Sequence, residues 1–258
     1  MNWRFENTGA HSGVFNMEYD ESLAQALVED RGQPVIRVYR WQPYAVSLGK
    51  NQSMDEINLR SLTDSGIDVV RRPTGGRAIL HANELTYSVA MKVHGKNILT
   101  VYEKISRALI AGLWELGASV SIEKNQPDFP SLYRNASAMA CFSSAGRYEI
   151  KWNNKKLVGS AQRRYPAGRG DEVVLQHGSV LLGPEHKEII KYLNLPTEDH
   201  RDSLKRELDE KTIDVSTIVH RMVSFAEAAD AILLGFKNAW SIVPEVVHVA
   251  DEKREVTV

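Results

Sequence analysis

The chain has one cysteine, Cys141, among its 258 residues. A lone thiol closes no internal disulfide, so a disulfide framework is excluded and a reducing, cytoplasmic setting is expected. Long apolar runs are also missing. Residues 1–17 mix Trp3, Arg4, Glu6, Asn7 and His11 with few apolar positions and lack the apolar core of a secretory leader. No run of about 18 uncharged apolar residues occurs, so no membrane span is expected. Neither sign of charge dominates: the formal net charge is −1. Nucleic acid is therefore not an expected partner, because domains that bind it are usually strongly basic. No fixed-period repeat and no low-complexity tract is present. Apart from His81 and His177, the histidines show no metal-ligand spacing, and one cysteine makes no zinc pattern. No metal and no bound cofactor are expected.

What is there suits a globular protein: 43% hydrophobic and 25% charged residues, enough apolar matter for a real core. Helical spacing of Phe15, Tyr19, Leu23, Ala26 and Leu27 predicts a helix over Phe15 to Arg31. Val35 to Arg40 and Ala45 to Leu48 read as strands around Gln42-Pro43. A helix over Asp55 to Ser65 stops at Gly66, and a strand over Ile67 to Arg72 runs into Gly75-Gly76. Leu85 to Met91 is a strand, and Thr100 to Gly117 a helix lined by Leu109, Leu113 and Leu116. Ser119 to Glu123 is a strand, and 125–136, with Pro127 and Pro130, a loop. Arg147 to Trp152 and Lys155 to Arg164 flank Asn153-Asn154, a hairpin signal because Asn tolerates positive φ. A strand over Val173 to Leu182 precedes helices over Glu185 to Leu193, Arg201 to Glu210 and Val215 to Leu234. The pattern predicts an α/β (α+β) fold, a mixed central sheet flanked by helices. One domain over 1–258 is expected, with C-terminal helices from about residue 185.

Three segments concentrate chemistry. In Arg71-Arg72-Pro73-Thr74-Gly75-Gly76-Arg77-Ala78-Ile79-Leu80-His81, paired glycines let a backbone approach a ligand, and arginines offer fork-shaped donors to an anion. Neither a phosphate-binding loop nor a dinucleotide fingerprint matches, since no Gly-Lys-Ser/Thr follows and the glycine spacing is wrong. Cys141 precedes Lys156 by fifteen positions. A nearby ammonium would favour the thiolate, the nucleophilic form. Read alone, a cysteine beside Ala138, Met139, Ala140 and Phe142 is more often a buried small hydrophobe, and Lys156 a solvated hairpin lysine. Gln176-His177-Gly178-Ser179 places a glycine inside a strand, a common mark of close backbone approach. His177 by itself is more often structural.

Taken in order, these segments resemble the biotin/lipoate protein ligase and octanoyltransferase superfamily. The likeness rests on the Arg71–His81 segment, Glu84-Leu-Thr-Tyr-Ser-Val89, Lys156-Leu-Val-Gly-Ser-Ala-Gln162 and Leu175-Gln-His-Gly-Ser179, with Phe15-Asn-Met17 and Asp20-Glu21 at the start. Within the superfamily the chain looks most like the cysteine octanoyltransferase branch of lipoate biosynthesis. Arg77 stands where many ATP-using ligases have a third glycine, and Cys141-Phe142 before Arg147-Tyr-Glu149 stands where that branch places its acyl-accepting cysteine. One departure concerns the position after the motif histidine, usually acidic and here Ala82-Asn83.

The resemblance implies a role for each matched residue. Cys141 would be the nucleophile and Lys156 its partner. Arg72, Gly75, Gly76, Arg77, His81, Gly159, Ser160, Ala161, His177 and Gly178 would bind substrate. Backbone amides of Gly75-Gly76 or Ser160-Ala161 would hold the oxyanion, and Ile79, Leu80, Val158 and Ala161 would line an acyl tunnel. The implied reaction moves octanoyl from acyl carrier protein, whose phosphopantetheine arm arrives with the substrate, to a lysine of a lipoyl-acceptor protein. That acceptor would be the glycine cleavage H protein or a dehydrogenase lipoyl domain. A monomer is expected. Lys155, Arg163, Arg164 and Arg169 form a basic cluster near the hairpin, read either as a docking face for an acidic carrier or as a solvated charged edge that protects a strand. The rival readings are an ATP-dependent lipoate–protein ligase, an amidotransferase between carrier proteins and, last, a non-enzymatic regulatory module.

Overall fold

The structure, a computed structural model, describes residues 2–95, 97–123 and 149–248. The chain starts with strand β1 (Arg4–His11), which its mixed composition does not announce, and helix α1 (Gly13–Val28), capped by the Ser12 hydroxyl. Strands β2 (Val35–Trp41) and β3 (Ala45–Leu48) follow as expected. The helix expected over Asp55 to Ser65 is instead a 3-10 turn at Met54–Glu56 and a short α2 (Leu59–Asp64), because Ser53 and Asn58 each cap a separate start. Then come β4 (Asp68–Arg71), β5 (Ile79–His81) and β6 (Glu84–Val93). Helix α3 (Ile98–Glu115) is capped by Asn97 and closed by Gly117 at φ +88°.

Strand β7 (Ser121–Glu123) precedes the hairpin β8 (Glu149–Trp152) and β9 (Lys155–Pro166). Asn153 and Asn154 turn it at φ 46° and 65°, as their tolerance of the left-handed region predicts. Strand β10 (Glu172–Leu181) leads to a run of 3-10 turns, Pro184–Tyr192, where a helix is expected. Three helices follow: α4 (Glu198–Lys211), α5 (Val215–Val219) and α6 (Phe225–Trp240). The single helix expected over Val215 to Leu234 is broken because His220 adopts φ 55° and Ser224 caps a fresh start. Strand β11 (Glu245–His248), like β1 and β5, is an element that the sequence pattern does not announce.

The large sheet runs β11-β1-β2-β6-β10-β9-β8-β7, and a small sheet runs β4-β3-β5. Pairings of β1 with β11 and β2 are parallel, and those from β2 through β7 antiparallel. Mixed pairing with flanking helices is the architecture expected from the sequence. One face of the large sheet carries Ile36, Val38, Tyr87, Val89, Val174 and Val180 into the main core, which α3 and α6 complete. These helices cross at backbone contact: a Cβ on Gly235 would lie 2.3 Å from the Gly112 nitrogen. The other face, under α1 and the small sheet, carries the polar groups.

Among the described residues, no helix is long and apolar enough to cross a membrane. His186, in the 3-10 run, is buried and holds Thr212 at 2.8 Å. Burial pushes its imidazole down to about 4, outweighing the Gly183 carbonyl. A histidine released on unfolding titrates near 6.5, so the unfolded state takes up the proton first. Stability is therefore expected to fall as pH drops from about 6.5 to about 4, and to level off below that. The loss between pH 7.5 and 5 should be about 2 kcal/mol. Urea melts at both pH values check this; a His186→Gln protein should show a smaller difference.

Candidate active site

The candidate site forms where the small sheet lies on the polar face of the large one. Thr74-Gly75-Gly76, between β4 and β5, is its apex. Gly76 has φ +102°, a conformation that a side chain disfavours. Gly75 is exposed, and nothing stands within 4 Å of where its Cβ would be. This is the open backbone that the paired glycines predict. Below the turn runs Gly49, whose Cβ would sit 1.9 Å from the Gly76 carbonyl oxygen. Sequence reading missed Gly49, because one glycine at the end of a strand carries no distinguishing pattern. A Gly49→Ala protein should fold, since only the turn must shift. Its turnover should fall about 100-fold, the cost of roughly 1 Å of misplacement; steady-state rates set against circular dichroism would show it.

The arginines of the motif hold the turn. Arg72 is buried and donates to the carbonyls of Ser47 (2.9 Å), Gly75 (3.0 Å) and Arg77 (2.7 Å), and to Ser47 Oγ (3.1 Å). Arg71 donates to the carbonyls of Gly49, Lys50 and Gln52. Arg77 reaches Glu56 at 3.5 Å. Expected as a substrate ligand, Arg72 in this structure braces the loop that would meet one.

Both motif histidines are likewise engaged through both ring nitrogens. His177 places Nε2 2.7 Å from Thr74 Oγ1 and Nδ1 3.2 Å from Asp20 Oδ2, tying the turn to β10. His81 places Nε2 2.7 Å from Ser47 Oγ and Nδ1 2.8 Å from Glu84 Oε1. The carboxylate missing right after His81 is thus supplied three residues on, by Glu84. Asp20 anchors the far end. It accepts from Arg37 at 2.8 Å and from the Tyr39 hydroxyl at 2.9 Å, with Asp20 and Arg37 both wholly buried. Burial raises the Asp20 carboxyl, but Arg37 and His177 outweigh it and the net shift is downward. The same burial, with Asp20 beside it, pushes the Tyr39 phenol well up.

Strand β9 supplies the rest. His177 pairs with Ala161 and Ser179 with Gly159, so these four share the polar face. Ser160 points to the opposite face, 2.7 Å from the Tyr87 hydroxyl, which also accepts from Gln176. Burial pushes Tyr87 up to about 12. Gly178 answers the same packing: its Cβ would meet the Gly159 carbonyl at 2.3 Å and the Tyr87 ring at 2.9 Å. The close approach at Gly178 is therefore to the neighbouring strand and Tyr87.

Lys156 reaches the polar face through an irregularity. Ile150 pairs with Val158, yet the next residue, Lys151, pairs with Lys156. The extra residue, Leu157, is a β-bulge, and a bulge re-aims a side chain. Val158 faces the main core with Ile150; Lys156 faces the other way, with Lys151 and the face of Gly159, Ala161 and His177. There its Nζ lies 2.6 Å from Glu149 Oε1, in a pair whose side chains are 7% and 8% exposed. Thr212 bridges the backbone beside it, and the Ile213 amide donates to its carbonyl. Glu149 stood inside the quoted motif without a role, because nothing in the spacing tells which carboxylate meets the lysine.

Cys141 lies outside the described residues, as does the loop of 125–136. The Arg169 side chain lies outside what the structure describes, and the other three members of the basic cluster do not share one face. Arg163 pairs with Glu21, Arg164 with Glu172 on the opposite face of β9, and Lys155 donates to the Asp209 carbonyl at the strand's other end. Eight residues of strand separate Lys155 from Arg163, about 26 Å. Among the described residues no group of three or more His, Cys, Asp or Glu side chains could hold a metal ion.

The mixed sheet, the small sheet laid on it and the braced glycine turn define a class of fold shared with lipoate-attaching enzymes. Lipoate-protein ligase A bound with ATP superposes with a TM-score of 0.75 at 21% identity, covering 97% of this chain and 90% of that one. The bipartite lipoate protein ligase of Thermoplasma acidophilum gives 0.74 at 20% identity, covering 97% and 88%. The sequence matches the lipoyl protein ligase A/B catalytic domain over residues 12–237, and the chain belongs to that family. Among curated relatives, the octanoyltransferase LipM of Symbiobacterium thermophilum is 36% identical over 99% of this chain and 93% of its own. The protein of that name from Bacillus subtilis is 34% identical over 97% and 91%.

Proposed function

We propose that this protein is an octanoyltransferase of lipoate biosynthesis, working through an acyl thioester on Cys141. The observation that carries the reading is the bulge at Leu157, which turns a buried Lys156, paired with Glu149, onto the face where Thr74 anchors the glycine turn. Relatives named octanoyltransferase LipM, at 33–36% identity over nearly the whole chain, point to the same reaction.

In the first step the Cys141 thiolate attacks the thioester carbonyl of octanoyl-acyl carrier protein. A C–S bond to Cys141 forms, the bond to the phosphopantetheine sulfur breaks, and the departing thiolate takes up a proton. One thioester replaces another, so the step is close to thermoneutral. In the second step a lysine amine of the acceptor, the glycine cleavage H protein or a dehydrogenase lipoyl domain, attacks the acyl-enzyme. It forms an amide, loses a proton and releases Cys141. Exchange of a thioester for an amide drives the transfer downhill. The Lys156 ammonium favours the thiolate and is the group that exchanges protons with the sulfur. Amides of Gly75 and Gly76, on open backbone, are the donors for the oxyanion. An octanoyl chain gains roughly 0.8 kcal/mol for each buried methylene.

The experiment is mass spectrometry after mixing the protein with octanoyl-acyl carrier protein. An octanoyl adduct is expected on Cys141 and on no other residue; an adduct that still forms on Cys141→Ala would overturn the assignment. A second reading, ATP-dependent ligation, is favoured by the fold likeness to an ATP-bound ligase. Free lipoate with ATP should leave the acceptor unlabelled if octanoyl transfer is the activity.

A further inference from the structure

A line of buried hydrogen bonds runs from Glu84 to the glycine turn. His81 Nδ1 lies 2.8 Å from Glu84 Oε1, and His81 Nε2 2.7 Å from Ser47 Oγ. Arg72 NH1 donates to Ser47 Oγ at 3.1 Å, while its NH2 donates to the carbonyls of Gly75 and Arg77. Ser47, His81, Glu84 and Arg72 are all buried. The line has one direction. A guanidinium has no acceptor, so Ser47 Oγ must accept from Arg72. Ser47 has no other side-chain acceptor among the described residues, so its own proton goes to His81 Nε2. His81 is then the neutral tautomer with its proton on Nδ1, given to Glu84.

Two more donors, Ser179 Oγ at 2.8 Å and Thr86 Oγ1 at 2.5 Å, meet the same Glu84 oxygen, and Trp41 Nε1 donates to Thr86. The Trp41 ring stacks on His81 at 4.0 Å, with 12° between planes. Glu84 Oε2 is buried without a hydrogen-bond partner, so all the ordering acts through one oxygen.

We infer that Glu84 is a positioning residue for the Thr74–Arg77 turn, acting through the His81 tautomer, Ser47 and Arg72. The carboxylate accepts the Nδ1 proton and holds the ring, the imidazole accepts from the Ser47 hydroxyl, and that hydroxyl holds the Arg72 fork on the Gly75 and Arg77 carbonyls. Its consequence for catalysis rests on the octanoyltransferase reading; its consequence for the turn does not.

Two variants test it. Ser47→Ala cuts the line in the middle without stranding a charge. Glu84→Leu keeps the bulk and removes the acceptor of the Nδ1 proton without leaving a charge. The first readout is the ¹⁵N spectrum of His81, expected to show one Nδ1–H tautomer in the unaltered protein. The second is hydrogen exchange at the amides of Lys50 and Arg72, which donate to the Thr74 and Leu48 carbonyls. Both should exchange about tenfold faster in Ser47→Ala and in Glu84→Leu, a loss of about 1.4 kcal/mol of local protection, while α3 and α6 stay unchanged. The Ser47→Ala protein should also lose about tenfold in octanoyl transfer. An Nε2–H tautomer in the unaltered protein, or turn exchange unchanged in either variant, overturns the inference. If the unaltered protein transfers no octanoyl group, the proposed function fails, and the two spectroscopic readouts still decide the positioning role.

Discussion

A Lys156→Met protein is expected to form the octanoyl adduct about 10³-fold more slowly, within the usual worth of a positioned acid–base group. Two effects combine. On the proposed mechanism, the ammonium that favours the Cys141 thiolate is gone, and so is the group that returns a proton to the departing sulfur. Stability falls as well, since Glu149 remains buried without its partner, 2.6 Å away in the unaltered protein. Breaking a buried pair on one side typically costs about 3–5 kcal/mol. Two controls separate these losses. Lys156→Met combined with Glu149→Gln should regain much of the stability and none of the rate. Lys156→Arg should keep a cation beside Glu149 but not restore turnover, because a guanidinium does not release its proton near neutrality. Quench-flow adduct formation, read with thermal melts, distinguishes the outcomes. A Lys156→Met protein that acylates at the unaltered rate would remove Lys156 from the mechanism.

The largest stability effect is expected at Arg37. Its guanidinium donates to Asp20, to the Asn16 side chain and carbonyl, and to Thr8, and it stacks 3.8 Å from the Tyr39 ring centroid. Nothing of it or of Asp20 reaches solvent. Arg37→Met leaves the Asp20 carboxylate buried without its cation, with Tyr39 and His177 as its remaining partners, a loss of about 3–5 kcal/mol. The pH dependence should change sign as well. In the unaltered protein the Asp20 carboxyl is held below its ordinary 3.8, so its stabilisation is present above about pH 4 and is lost as the pH falls through the lowered value. Without Arg37, burial becomes the governing influence and the carboxyl is raised. Stability contributed by the protonated form is then lost as the pH rises through that raised value. Urea melts from about pH 2 to 8 read both: the variant should be closest to the unaltered protein at the acid end. Since Asp20 also holds His177, and His177 holds Thr74, transfer should weaken even where the variant stays folded.

Much of this architecture was legible in the residues. Strand-like runs at Val35 to Arg40 and Ala45 to Leu48, the leucine-lined helix before Gly117 and the Asn153-Asn154 hairpin all declare themselves through short-range preferences. Other elements were not. β1 and β11 pair in parallel with partners far along the chain, and their mixed composition has no local pattern. The helix expected over Val215 to Leu234 hides its break at His220 because the apolar periodicity continues past it.

The site divides the same way. The sequence by itself determined which segments matter: the arginine–glycine motif, the Lys156 strand and the His177-Gly178-Ser179 strand. Each shows as an unusual residue type at a fixed spacing. The family followed from their order. Only the tertiary structure decided what each residue contacts. It sent Arg72, His81 and His177 to brace the glycine turn, and it brought Ser47, Glu84 and Asp20, distant in sequence, into hydrogen-bonding reach of them. Lys156 is the sharpest case. Strict alternation along β9 would set it on the core face with Val158 and Ser160. The one extra residue at Leu157 reverses that, and such a bulge exists only in the pairing of two strands, which no single strand encodes.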